Sequence, residues 1–316
     1  MGKRKRETIA TGNGAQAIPA AKASRVPESG KATDKTKRRR VAFDPFNTPQ
    51  TVQIIVGTYE KVLHGLTATV SKQGTTASGQ SLEVEFADTF LLSSHGSAIR
   101  CLAISPLSSD ATKSQKIILA SGGSDQVVNL YHISAAAPSR HNSKGPQIPT
   151  LGGNKIIQNP RNRELGSLEH HSGSINALYF PTRSKLLSAA EDNTIAVART
   201  RDWTVLSTIK APIPKAHGRP SGDTAPLGGT PAGVNDFAIH PSMKLMVSVG
   251  KGEKCMRLWN LVTGKKAGVL NFERNLLQGV GEGRWTSGEG RRVEWDSVGE
   301  EFVVGFERGC VVFGMV

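Results

Sequence analysis

A serine, an acidic residue and then an aromatic or small apolar residue recur at fixed offsets along this chain, and that recurrence limits the folds open to it. Asp125 precedes Tyr131 by six positions, and the same interval separates Asp192 from Ala198, Glu253 from Trp259, and Glu307 from Phe313. Ser121 and Ser188 each lie four positions before their acid, and Ser248 lies five before Glu253. Glu60 and Leu66 extend the pattern toward the N-terminus. Residues 244–265 show what each copy encodes: an apolar β-prone run, a polar turn with two glycines, an alternating run and a second turn at Thr263-Gly264. Matched offsets imply matched strand registers, so the chain is read as a series of equivalent small antiparallel units.

Five copies can be placed. They begin at residues 52, 95, 171 and 233, with the last over 291–316. Ser121 and Ser188 are 67 positions apart and Ser188 and Ser248 are 60 apart. Two low-complexity inserts, near 135–163 and 211–233, lengthen these intervals; taking about 26 and about 13 residues out of them leaves periods of roughly 41 and 47 residues. The 34 glycines and short apolar runs fit many short strands, and no long amphipathic helix is apparent.

The net charge of +14 is unevenly placed. The first 44 residues hold 12 Lys and Arg against 4 acids, leaving 28 against 22 for the rest. Residues 1–45 contain almost no large apolar side chains and are predicted to be a disordered basic tail, because they cannot bury enough surface to offset their ordering entropy. Lys3, Arg4, Lys5 and Arg6 form one basic cluster, and Lys37, Arg38, Arg39 and Arg40 a second, of the kind that import receptors read and that contacts phosphate backbones. No aromatic residue interleaves with them for base stacking. The N-terminus MGKRKRE has no apolar stretch behind it and no run reaches bilayer length, so no membrane partner is expected. Cys101, Cys255 and Cys310 lie in apolar runs without paired spacing, which predicts reduced buried thiols rather than a disulfide framework or metal site.

The period and polar residues resemble the WD-repeat β-propeller, in which each copy contributes to a four-stranded blade around a central axis. In that pattern a histidine before the inner strand, a serine on the second strand, an acid in the turn and a tryptophan on the third strand form one hydrogen-bonded chain that fixes the blade. His95, Ser121, Asp125 and Tyr131 match those places in the second copy, His171, Ser188 and Asp192 in the third, and His217, Ser248, Glu253 and Trp259 in the fourth. The Trp-Asp dipeptide is degenerate here, with Tyr131-His132, Ala198-Arg199, Trp259-Asn260 and Phe313-Gly314 in its place. The expected fold is therefore all-β, with residues 46–316 forming a propeller.

Segments such as IIVGTYEKVLHG, HHSGSINALYF and KLMVSVGKGEKCMRLWNLVTGK are similar to the p21-activated-kinase-interacting protein family, whose fungal members carry the maintenance-of-killer name. The resemblance runs, with gaps, from about residue 52 to the end. It implies a nucleolar factor in assembly of the large (60S) ribosomal subunit and rRNA maturation, with pre-60S ribosomal or assembly proteins as partners. Kinase inhibition through a p21-activated kinase is the second role it implies. It also implies seven blades where this sequence supplies five copies, so an incomplete, unclosed ring is expected; a closed five-bladed ring, with residues 51–56 or 82–87 paired to the last strands, is the alternative.

Little here points to catalysis. His170, His171, Asp192 and Ser188 resemble a nucleophilic triad, but the repeat offsets already explain them as blade-fixing groups. Gly279, Gly281 and Gly283 sit in a run that neither follows a clear strand nor opens a helix, which reads as a flexible connector rather than a phosphate loop. No catalytic residue, cofactor, metal or small-molecule substrate is expected. Binding remains. The insert at 138–163 carries Arg140, Lys144, Lys155, Arg161 and Arg163 with no acid, which suits either non-specific contact with rRNA phosphates or a loop without a partner. Arg199, Arg201, Asp202 and Trp203 form a second candidate patch, with Trp203 expected to pack as a strand residue.

Overall fold

The computed structural model describes residues 50–72, 82–107, 116–134, 148–149, 155–156, 159, 161–213, 232–283 and 286–315. These lie within one unit, Phe46–Val316. The two basic tail clusters, His217, Arg140 and Lys144 fall outside the described residues.

Five antiparallel sheets follow one another along the chain, each built from strands adjacent in sequence. The first contains β1 (Gln50–Gly57), β2 (Val62–Lys72) and β3 (Leu82–Ser93). The second orders β4 (Ile99–Ile104), β5 (Lys116–Gly123), β6 (Val128–Ser134) and β9 (Arg163–Leu168). A small pair, β7 (Ile148–Pro149) and β8 (Lys155–Ile156), lies in the insert between β6 and β9. The third sheet is β10 (Ile175–Thr182), β11 (Lys185–Ala190), β12 (Thr194–Arg199) and β13 (Val205–Lys210). The fourth is β14 (Val234–Ile239), β15 (Leu245–Gly250), β16 (Cys255–Asn260) and β17 (Lys265–Asn271). A short helix, α1 (Arg274–Gly279), precedes the fifth sheet of β18 (Arg292–Trp295), β19 (Glu301–Gly305) and β20 (Cys310–Gly314).

These sheets are the five expected blades, stacked face to face. Successive strand residues point to opposite faces, and both faces of a middle blade are covered, so its second strand reads as a continuous apolar run. In β11, Leu186 and Ala190 face the seam with the second blade, while Leu187 and Ala189 face the seam with the fourth. In β15, Met246 faces the third blade and Val247 and Val249 face the fifth. The first seam is Leu63 and Phe90 against Leu119, Tyr131 and Ile133. Outer strands such as β13 and β17 are largely exposed and correspondingly polar.

The ring is unclosed. Residues 51–56 and 82–87 pair with β2, and β20 pairs with β19, so the strand pairing of the closed-ring alternative does not form.

Four other details depart from the sequence expectations. Trp203 lies in the turn before β13 with φ of 58°, not on a strand, although it does pack against the seam of the second and third blades. The glycine run after residue 279 is a helix cap. The Glu282 N–H bonds the Leu277 carbonyl and the Gly281 N–H bonds Gln278, with Gly281 at φ of 82°, a left-handed conformation that glycine adopts without a Cβ penalty. The third strand of the first sheet is 12 residues long and reaches Ser93. Cys101 and Cys255 are partly buried free thiols, but Cys310 is exposed, because the face of β20 that carries it is covered by no further sheet.

Candidate functional site

The recurring polar residues come together inside the second and third blades with nearly the same geometry. In the second, His95 Nε2 lies 2.8 Å from the Ser121 hydroxyl and Nδ1 lies 3.0 Å from the Asp125 carboxylate. The Gly96 N–H also donates to Asp125 at 2.8 Å. In the third, His171 Nε2 lies 2.8 Å from Ser188 and Nδ1 lies 3.0 Å from Asp192, which accepts the Ser172 N–H as well. Burial raises the pKa of the Asp125 carboxyl, but the Gly96 N–H, the His95 ring and the Val127 N–H outweigh it and hold the group below its usual range. Asp192 is shifted down in the same way: burial is outweighed by Thr194, Ser172 and His171.

The last member of the chain differs from blade to blade. In the fourth, Trp259 donates its indole N–H to Ser248 across 2.8 Å. Ala198 occupies the equivalent register in the third blade and has no donor, and His170 Nε2 approaches Ser188 at 2.8 Å instead. With His171 donating Nδ1–H to Asp192, its Nε2 accepts the serine O–H, and the serine oxygen accepts from His170. Burial, and then the neighbouring His171, push the His170 pKa down to about 4.

Two expected members do not join a network. Tyr131 is buried but makes no bond to Ser121, because a phenol carries its O–H at the ring tip rather than at its side. Glu253 is held by a buried ion pair with Arg257 rather than by a histidine, so the fourth blade divides its chain into Glu253 with Arg257 and Ser248 with Trp259. In the first blade Glu60 plays no such part; Thr58 closes that turn, exchanging hydrogen bonds with Val62. The fifth blade substitutes stacked rings: His240, Trp295, Phe302 and Phe313 follow one another with centroids 4.8 to 5.2 Å apart.

A serine, a histidine and an aspartate at these distances have the spacing of a nucleophilic triad, yet Ser121 and Ser188 are 0% and 1% exposed. A nucleophile must reach its substrate, and each serine lies beneath its own blade. The networks act on the fold, tying the loop before each inner strand to the second strand and to the turn that follows it.

The inner strands carry a device that the offsets do not show. A β-bulge interrupts β4 at Arg100, β10 at Asn176 and β14 at Asn235. Each extra residue turns its side chain toward the next blade. Arg100 pairs with Glu191 at 3.0 Å, Asn176 donates to the Val234 carbonyl at 2.8 Å, and Asn235 donates to the Gly290 carbonyl at 2.9 Å. Lys251 approaches Glu191 from the fourth blade at 3.5 Å.

All five inner strands line one depression of about 350 Å³, through Gly57, Arg100, Ala177, Asp236 and Arg292 among others. Asp236 accepts the Val293 N–H at 3.0 Å, and Arg292 stands 3.8 Å away. Burial, opposed mainly by that N–H, raises the Asp236 pKa to about 6. Cys101 lines the same depression, and burial pushes its thiol up to about 12, which leaves it a poor nucleophile. Sequence reasoning missed Asp236; its alternation with apolar neighbours on β14 was the only available signal. Among the described residues no three of His, Cys, Asp and Glu converge as metal ligands would, and no helix is long and apolar enough to cross a membrane.

Of the candidate binding patches, Arg199 and Asp202 form an exposed ion pair at 2.8 Å. In the basic insert, Arg161 lies in a turn, and the base of the insert is pinned where the Ser134 N–H bonds the Asn162 side chain at 3.0 Å.

Comparison with known proteins agrees with this geometry. The family model described as WD domain, G-beta repeat matches residues 162–197, which span β9 to β12. A p21-activated protein kinase-interacting protein 1-like protein of Xenopus laevis is 35% identical over 45% of this chain and 30% of its own length. A protein of the same name from Danio rerio is 25% identical over 71% of this chain and 44% of its own. Protein MAK11 of Saccharomyces cerevisiae is 28% identical over 75% of this chain and 47% of its own. The chain thus spans less than half the length of these relatives. Among solved structures, it is similar to the WD40 β-propeller domain of Doa1, with TM-score 0.44 and 12% identity over 82% of this chain and 73% of that one. This chain is a WD-repeat protein of the family that includes the p21-activated protein kinase-interacting proteins and MAK11.

Proposed function

We propose that this WD-repeat scaffold is non-catalytic and acts in assembly of the large ribosomal subunit and maturation of rRNA in the nucleolus. The observation that carries the reading is the similarity to MAK11 across 75% of the chain, which supports the family resemblance that implies this role. The two basic clusters, Lys3 to Arg6 and Lys37 to Arg40, support it independently, since nuclear entry and loose attraction to RNA phosphate both use such charges. The blades would dock ribosomal or assembly proteins through their rims, and the basic insert would add salt-sensitive contact with rRNA. The test is gradient sedimentation of the tagged protein together with its depletion. Co-migration with pre-ribosomal particles and accumulation of unprocessed rRNA are expected. Absence from those fractions with intact processing would overturn the reading.

A second reading, restraint of a p21-activated kinase, is favoured by the names of the relatives, which include Shk1 kinase-binding protein 15 of Schizosaccharomyces pombe. Capture of a p21-activated kinase that is lost when the blades are removed would support it. Deleting residues 1–40 separates the two, because a nucleolar factor loses its location and a cytoplasmic kinase regulator keeps it.

A further inference from the structure

We infer that the chain associates with a second copy of itself, head to tail, through the two blade faces that have no neighbour. Each seam inside the molecule joins a forward face, turned toward the next blade, to a backward face, turned toward the preceding one. Four such seams are filled. The backward face of the first blade and the forward face of the fifth are left over, and together they are the two halves of a fifth seam.

The backward face of the first blade is apolar and uncovered. Val52, Ile54 and Val56 alternate on β1 at 52%, 37% and 40% exposure, and Phe86 on β3 is 62% exposed. Register places Val52, Ala68 and Phe86 in one row across the sheet, so these side chains form a continuous surface rather than scattered exposures. Ile55, Leu63 and Phe90 point the other way, into the seam with the second blade. On the fifth blade, register aligns Glu294, Val303 and Val312 in one row and Arg292, Gly305 and Cys310 in the next. The matching rows of the fourth blade are Ala238, Val247 and Leu258, and Asp236, Val249 and Met256. Those rows pack directly against the fifth blade. The row ending in Val312, 61% exposed, therefore presents to solvent the kind of surface that an adjoining blade covers elsewhere in the chain.

The occupant that fits a forward face is a backward face, and a second copy supplies one of each. The contact is heterologous, with different patches on the two partners, so one copy keeps an open face after pairing. An uncovered apolar sheet of this kind is unfavourable in water and favours association.

The test uses the full chain and two surface variants, Phe86→Glu on the first blade and Val312→Glu on the fifth. Light scattering and sedimentation velocity are recorded from low to high micromolar concentration, and circular dichroism with melting curves establishes that each variant is folded. The unaltered chain is expected to self-associate as concentration rises. Each variant alone is expected to lose that association, while an equimolar mixture forms a one-to-one dimer, because each variant retains the face that the other has lost. Val52→Lys and Cys310→Asp provide a second pair should either glutamate variant fold poorly. A monomeric unaltered chain would overturn the inference, and so would undiminished self-association of Val312→Glu, which would mean that two first blades meet. Failure of the mixed variants to pair, or a foreign polypeptide bound to the purified chain at these faces, would overturn it as well.

Discussion

Trp259 and Ala198 hold the same register in consecutive blades, opposite Met246 and Leu186, but only Trp259 reaches the serine two residues further along the neighbouring strand. Removing that indole donor leaves the Ser248 hydroxyl buried without its partner. Trp259→Phe is therefore expected to destabilise the chain by about 1–3 kcal/mol in urea denaturation. In the third blade, Ala198→Gly should show no hydrogen-bond component, only the small loss expected of glycine in a strand.

His170 supplies the missing donor in the third blade, and its titration gives that role a pH signature. Its folded pKa of about 4 lies below the ordinary 6.5, so between those values the unfolded chain binds the extra proton. Stability from this residue is fully present above about pH 6.5 and is lost as the pH falls toward 4. Gln keeps an N–H donor and does not titrate. His170→Gln is expected to match the parent in melting temperature at pH 7.5 and to exceed it at pH 5, measured by differential scanning calorimetry.

Asp236 has the opposite sign. With a folded pKa raised from 3.8 to about 6, its carboxylate is an unfavourable buried charge above pH 6, and the cost disappears as the pH falls toward 3.8. Asn can accept the same Val293 N–H without a charge. Asp236→Asn is expected to stabilise the chain by up to about 3 kcal/mol at pH 7.5, with the difference shrinking to nothing near pH 4. A difference independent of pH would show that the carboxylate is paired more strongly than its distance of 3.8 Å to Arg292 implies.

Gly122 lies where the second and third blades meet most closely. A Cβ there would stand 2.6 Å from Ile175 Cγ2 and 2.7 Å from Cys101 Sγ, nearer than side-chain atoms approach. Gly122→Ala is expected to cost about 1–3 kcal/mol through overpacking, read as a shift in the urea midpoint with little change in slope. The double variant with Ile175→Val, which removes a methyl from the same contact region, should recover part of the loss.

The blades were legible because their serines and acids return at intervals set by strand and turn lengths, which are local properties. Ser121, Ser188, Ser248 and Trp259 could be placed on the correct strands for that reason. The bulge residues Arg100, Asn176 and Asn235 could not, because a bulge appears only when two strands are aligned. The partner of Glu253 was missed although Arg257 is four positions away, since the pattern directed attention to a distant histidine. His170 was seen but given no function, because two adjacent histidines cannot be told apart until the ring positions are known. Cys310 was read as buried because its run is apolar, which presumes a neighbour on both faces of the sheet.

The central claim is that the Ser–His–Asp sets serve the same structural purpose in successive blades, and paired double-mutant cycles test it most directly. One cycle combines His95→Ala with Asp125→Ala, the other His171→Ala with Asp192→Ala, each followed by equilibrium unfolding in urea. Coupling energies of about 1–3 kcal/mol, similar in the two blades, are predicted from the shared geometry. Additive losses in both cycles, with no coupling, would contradict the account.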